Sequence, residues 1–308
     1  MNKCSLSINT NPLVNRIAGA GQLIDCIAYE IGCGRVQLTP EFLNPSWPAP
    51  VLRRIVSEFN AAMDRTGVKI TSVMTSTFLR LNHFGHPDPQ LRNYYLEWFK
   101  ILADLASDIG ACSIGSQFAI LTHADWNDHA RRAAIIEAAV DNWRIVSEYG
   151  RDAGLSFLYW EPMSVAREFG HTIKDAAIFQ QYLETKQFAM PMHMILDVDH
   201  GDVSSDDPDD TDPYAWVSAF SKKSPIIHIK QSSANKSGHW PFTPEYNAAG
   251  KIEPLRLLEA VENGGGRNNE LCLELAFRER EPNDTKAVSA LASSVAHWAP
   301  YVDIGLQK

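Results

Sequence analysis

Four residues combine a type and a spacing that suit chemistry on a small molecule. Glu161 closes the run LSFLYWEPMS, Asp197 sits in HMILDVDHGD with His200 three residues on, His228 lies in SPIIHIKQSS, and Glu274 interrupts the apolar ELCLELAF. Each alone has a plain structural explanation: a carboxylate at a strand end caps the following helix, and a lone core histidine bonds a backbone carbonyl. Gathered in one place, three carboxylates and an imidazole would be a costly concentration of negative charge unless a cation sat among them. Oxygen-rich donors with a single imidazole suit Mn²⁺, Mg²⁺ or Co²⁺ better than a sulfur-seeking metal. A cation of that kind acts as a Lewis acid on an oxygen of a bound small molecule, and carboxylates beside it can move protons.

Such a gathering requires elements that end side by side. Short apolar runs at 5–9, 35–38, 68–73, 111–117, 155–160, 193–197, 226–229 and 270–275 read as strands. Between them lie helical periodicities: 51–66 carries Val51, Leu52, Ile55, Val56, Phe59 and Met63, and 91–109 carries Tyr94, Trp98, Ile101, Leu102 and Leu105, with similar patterns over 131–154 and 172–188. Pro213 after Asp212, and Pro254, are helix-start signals, and Gly110, Gly154 and 264–266 stand where helices should stop. Eight strand-then-helix units in about 300 residues predict an α/β fold, a closed (β/α)8 TIM barrel spanning 1–308 as a single domain. An open doubly wound sheet is the alternative, but it usually has five or six strands, and no GxGxxG follows the first strand. In a barrel, chemistry collects at the strands' C-terminal ends. From 161 to 197 to 228 to 274, each step is about one strand–helix unit, as equivalent positions on the last four strands require.

Composition narrows the class. The 308 residues are 45% hydrophobic and 21% charged, a globular balance. Lys and Arg number 28 against 37 Asp and Glu, a formal charge of −9 that argues against a nucleic-acid partner. Five cysteines without a CxxC pair point to reduced thiols, MNKCSLSINTNP has no apolar signal core, and no apolar run approaches the ~20 residues of a membrane span. The expectation is a cytoplasmic enzyme with a small-molecule substrate and no membrane partner.

The strand-end Glu, the Asp with its DxxH histidine, the HIK-type histidine and the final Glu together resemble the xylose-isomerase-like barrel superfamily, most closely its ketose 3-epimerases. That resemblance implies one divalent metal, commonly manganese, held by Glu161, Asp197, His228 and Glu274, with Glu161 and Glu274 also the proton-transfer pair and His200 beside the substrate. Longer runs are more particular. NTNPLVNR, LTPEFLNPSW, RLNHFGHPD, WEPMSVAREFG, DVDHGDVSS, PIIHIKQS and CLELAFREREPND are similar to the tetrulose-phosphate epimerases of erythritol catabolism, which act on erythrulose 1-phosphate, over essentially the whole chain. Such a resemblance implies a sugar-phosphate substrate and a homodimer or homotetramer.

A phosphate needs cations or backbone donors. Lys230 and Gln231 follow His228, and Arg278 and Arg280 follow the last strand, where barrels often hold phosphate; the arginines read equally as an exposed Arg-Glu-Arg run. His83 and His86 form a polar aromatic loop after the third strand that lines the mouth or simply the surface. Phe84, Trp47 and Trp160 are pocket walls or ordinary packing. The acidic stretch 206–212 lacks the Gly and terminal Glu of an EF-hand and reads as a solvated loop leading to a helix. Three other functions stay open. An aldose–ketose isomerase needs one base instead of two. An endonuclease barrel needs three zincs and a basic face. A sugar-binding barrel without turnover would have no use for both glutamates.

Overall fold

In the computed structural model, which describes residues 4–234 and 236–306, eight parallel strands close into a barrel. These are β1 (Ser5–Asn9), β2 (Arg35–Leu38), β3 (Lys69–Met74), β4 (Ser113–Gln117), β5 (Phe157–Glu161), β6 (Met192–Asp197), β7 (Ile226–Ile229) and, after a two-stranded antiparallel hairpin of β8 (Gln231–Ser233) and β9 (Lys236–Trp240), β10 (Glu270–Leu273). Each strand pairs with its chain neighbour, and β10 seals the ring between β7 and β1, with Cys272 opposite His228 and Leu271 opposite Leu6. The expected strands are therefore present; the last ends at Leu273, and Glu274 follows it with its N–H still donating to Ile229 O at 3.1 Å.

Helices α1 (Ala20–Asp25, continued by a π-helical turn to Ile31), α2 (Ala49–Thr66), α3 (Pro89–Asp108), α4 (His123–Asn127), α5 (His129–Asp152), α6 (Ile173–Glu184), α7 (Pro213–Phe220), α8 (Pro244–Asn247), α9 (Pro254–Asn263) and α10 (Ala287–Trp298) fill the connections. Their starts follow local chemistry. Asp212 accepts from Tyr214 N with Pro213 in the first turn, Asp88 caps Gln90 N ahead of Pro89, and Thr172 accepts from Asp175 N. At the far ends, Gly110 and Gly154 adopt left-handed φ of 76° and 97°, letting the chain reverse into β4 and β5. The periodicity over 172–188 overruns α6 by four residues: Lys186 N bonds Leu183 O and Ala189 N bonds Ser147 Oγ, turning the chain toward β6. The acidic stretch is a loop and a capped turn before α7, except that Asp210 is buried, accepting from Ile173 N at 2.7 Å.

Alternation along the strands splits the barrel's packing. Leu6, Ile8, Val36, Leu158, Leu196, Ile227 and Leu271 point outward into the main core beneath the helices. Facing inward, Met74, Tyr159, Ile195, Ile226 and Cys272 form a separate apolar plug. Tyr159 fits only because Gly115 opposes it: a Cβ at 115 would lie 2.1 Å from the Tyr159 ring. Toward the C-terminal ends of the strands the same inward positions turn polar, at Asn9, Gln37, Gln117, Glu161, Asp197 and His228, all buried. An apolar cluster thus lies beneath a polar chamber.

Candidate active site

Glu161 ends β5 and Asp197 ends β6; His228 lies on β7 directly across the ladder from Asp197, and Glu274 stands one residue past β10. Each is an inward position, so barrel closure alone brings them together. One donor atom from each of the four lies within 4.8 Å of the rest. The His228 Nδ1 is 3.2 Å from Glu161 Oε1 and 3.6 Å from Glu274 Oε2.

The opposite edge of the imidazole is fixed by a residue the sequence reading did not single out. The Nε2–H of His228 donates to Gln37 Oε1 at 2.8 Å, and the same oxygen accepts from Asn9 Nδ2 at 2.8 Å, while Gln37 Nε2 donates to Ser72 Oγ at 3.2 Å. That network keeps a proton on Nε2 and aims Nδ1 at the carboxylates, the orientation a metal-binding histidine needs. The signal was present in β2, where Gln37 is a buried polar residue between Val36 and Leu38 in RVQL, but its partner is 191 positions away. Two further groups were missed. Gln117 Nε2 reaches Glu161 Oε2 at 3.5 Å, and His239, from β9, stands with Nδ1 3.6 Å from Glu274 Oε2.

Lys230 is placed differently from a phosphate contact at the rim. It shares the inward face of His228 and is buried, its ammonium bonded to Asp197 and, at 3.0 Å, to Glu274. Burial would strip the charge from this amine, but Asp197 and Glu274 outweigh it and raise its pKa. Burial likewise pushes Glu274 up, and Lys230, followed by His228 and His239, reverses this to hold the carboxyl well below its usual range. For Asp197, His200 and Lys230 overcome burial and lower the pKa. His228 is opposed by burial and raised by Glu274 and Glu161. One ammonium does not balance three carboxylates. The surplus negative charge, the three carboxylates and the Nδ1 aimed at them fit a divalent cation, so the cluster can hold one.

The other expected contacts separate. His200 is at the mouth, donating from Nδ1 to Pro162 O at 2.9 Å, with Nε2 3.3 Å from Asp197 Oδ2. Gln231 faces the other way: its amide donates to Asn247 and Ile252 O and accepts from Ile252 N, bracing the loop behind the hairpin. His83 turns away from the mouth into an aromatic enclosure of Tyr95, Trp98 and Phe99, with the Tyr95 ring 4.6 Å off, and burial lowers its pKa to about 4. Trp160 and Phe84 are fully buried among the helices, where Trp160 donates to Gln180 and Phe84 packs on Phe99 and Trp143, so neither is the pocket wall considered above; Trp47 is partly buried against the same core. Arg278 and Arg280 are exposed and part company, lining different cavities.

Residues 27–286 match the model of the xylose isomerase-like TIM barrel family. The chain is 52% identical over 301 residues, 98% of its length and 97% of the relative's, to a protein of Brucella abortus (strain 2308) named D-erythrulose 1-phosphate 3-epimerase. Among solved structures, a putative xylose isomerase from Rhodospirillum rubrum superposes with a TM-score of 0.85 at 24% identity, covering 96% of this chain and 99% of that one. A D-psicose 3-epimerase from Clostridium cellulolyticum H10 gives 0.68 at 15%, covering 98% and 99%. The two structures speak to the fold, which they share throughout. The chain therefore belongs to the xylose isomerase-like TIM barrel family and is an isomerase of the epimerase class.

Proposed function

We propose that this protein is a divalent-metal-dependent 3-epimerase of a tetrulose phosphate, of the erythrulose 1-phosphate kind, serving erythritol catabolism. The observation that carries this reading is the approach of Glu161 and Glu274, from opposite sides of the β6–β7 pair, to one imidazole nitrogen at 3.2 and 3.6 Å. The name of the 52%-identical relative supports the substrate class. The whole of 1–308 acts as one barrel domain. Five free thiols favour a cytoplasmic setting, among the described residues no helix is long and apolar enough to cross a membrane, and the assembly is a homodimer or homotetramer.

Inverting a carbon beside a ketone requires its hydrogen to leave on one face and a proton to arrive on the other. Glu274, held ionised by Lys230 and its two histidine neighbours, removes the proton on its side. Glu161, steadied by Gln117, exchanges one on the opposite side, and the roles reverse in the reverse reaction. Mn²⁺, or Mg²⁺ or Co²⁺ in its stead, held by Glu161, Asp197, His228 and Glu274, supplies the Lewis-acid polarisation that makes that hydrogen acidic. Asp197 and Lys230 lock each other and hold the chamber's charge in place. His200 at the rim reaches a substrate hydroxyl, and the apolar plug below keeps water from the chamber's floor.

The test is exchange in D₂O with Mn²⁺ supplied, read by NMR on tetrulose phosphates. Deuterium at C3 is expected, and label confined to C1 or C2 would replace epimerisation by aldose–ketose isomerisation. Glu161→Gln and Glu274→Gln should each cut exchange by about 10²–10⁴-fold; near-normal turnover in either removes the two-base scheme.

A further inference from the structure

The geometry points to a phosphate-binding pocket between the β8–β9 hairpin and the segment after β10, in which Arg278 and Lys286, with Lys236, hold the phosphate ester of the substrate. It rests on the reading of the protein as a sugar-phosphate epimerase and says where that phosphate goes. A cavity of about 540 Å³ opens there, and His239 forms the wall it shares with the carboxylate cluster: this ring lines the cavity while its Nδ1 stands 3.6 Å from Glu274 Oε2 and 3.1 Å from the Lys230 ammonium. Ala276 N donates to His239 O at 3.0 Å, tying the hairpin to the chain that carries Arg278. A ligand with its reacting carbon at Glu274 thus has its tail directed past His239.

Charge singles this cavity out. Three cations line it, Lys236, Arg278 and Lys286, against one carboxylate, Glu245, in a chain whose formal charge is −9. Among the described residues the side chains of Arg278 and Lys286 make no ion pair or hydrogen bond, so their charge is free for a ligand, while Lys236 stands 5.8 Å over the Trp240 ring. The neighbouring cavities differ. The cavity beside His200 shares Lys236 but is lined by three carboxylates, Asp199, Asp212 and Glu253, and its Lys251 is committed to Asp199 at 2.9 Å. Arg280 lines a cavity with Glu279, Glu281 and Asp284, and its other cation, Arg16, is paired with Asp284 at 2.9 Å, so carboxylates outnumber cations there. The lysine-rich cavity around Met190–Met192 abuts the start of β6, at the far end of the barrel from the carboxylates, and its Lys186 and Lys223 are paired with Glu137 and Glu184. A guanidinium presents a flat fork to phosphate oxygens and an ammonium a point charge, so the pair recognises a dianion and not a neutral hydroxyl.

Inorganic phosphate, titrated calorimetrically into the full-length protein, reads the pocket without turnover. Arg278→Ala should weaken binding about tenfold or more and Lys286→Ala several-fold, whereas Arg280→Ala leaves it unchanged. In parallel, Arg278→Ala should raise KM for a tetrulose phosphate while sparing C3 exchange of unphosphorylated erythrulose. Wild-type phosphate affinity in both Arg278→Ala and Lys286→Ala, or a loss in Arg280→Ala instead, overturns the pocket even if the enzyme epimerises. Phosphate held through Arg278 by a protein that epimerises no ketose supports the pocket and overturns the proposed function.

Discussion

Gln37 offers the sharpest test of how the chamber is built, because it touches no substrate and no proposed metal. Its Oε1 accepts from two buried N–H donors, His228 Nε2–H and Asn9 Nδ2, each at 2.8 Å, and from the Cys272 thiol at 3.8 Å, and Gln37, His228 and Ser72 are fully buried with Asn9 nearly so. Gln37→Leu keeps the volume and removes the acceptor. Each N–H left without a partner in a dry site costs about 1–3 kcal/mol, so the variant should lose roughly 2 kcal/mol or more in urea unfolding. The consequence for His228 is larger than for the fold. Without its anchor the ring loses both the constraint on its proton and its aim at the carboxylates, and partners of this kind are worth about 10–100-fold in metal affinity. Calorimetric titration of Mn²⁺ at fixed pH measures that loss directly, and Gln37→Glu, which restores an acceptor for both N–H groups, should recover much of it. A folded Gln37→Leu protein that binds Mn²⁺ within about threefold of the unsubstituted chain would refute the argument that Gln37 orients this ligand.

Two further outcomes follow from burial. His83 has a pKa of about 4 in the folded chain against 6.5 when exposed, so the unfolded chain takes up the proton first as the pH falls. Its contribution is complete above pH 6.5 and is lost toward pH 4, amounting to about 3 kcal/mol. His83→Asn, which tolerates the left-handed φ of 46° there, should show a correspondingly flatter fall of Tm with acid, and parallel curves for the two proteins would contradict this. Lys230→Met leaves Asp197 and Glu274 facing each other without their ammonium and should cost about 3–5 kcal/mol by denaturant unfolding in the presence of a chelator. A change of only a few tenths would mean that the buried pairs contribute little.

The architecture was legible because its determinants are local. A strand announces itself by a short β-branched or apolar run, a helix by its 3.6-residue period, and a cap by residues such as Asp212 and Pro213, so eight units could be counted without knowing how they pack. The same locality exposed Glu161, Asp197, His228 and Glu274, since an ionisable residue at the end of a buried strand is an exception to the pattern around it. Alternation also separates Lys230, on the face of His228, from Gln231 on the opposite face, and the structure follows that division.

What faces each of these residues was not in the local pattern. Gln37 meets His228 only because β10 closes the ring between β7 and β1, setting β2 across the chamber from β7. His239 reaches Glu274 because the hairpin folds back over the mouth, and His83 leaves the mouth because Tyr95, Trp98 and Phe99 of α3 enclose it. The two arginines two residues apart read as equivalent along the chain, yet they line different cavities, one where cations outnumber carboxylates and one where carboxylates outnumber cations. Residue order specifies periodicity and ends of elements, which depend on neighbours a few positions away. The partners of a charged side chain depend on barrel closure and loop return, which bring together groups as far apart as Arg35 and Asp303, and these decide whether a given cation neutralises a buried acid or remains free for a ligand.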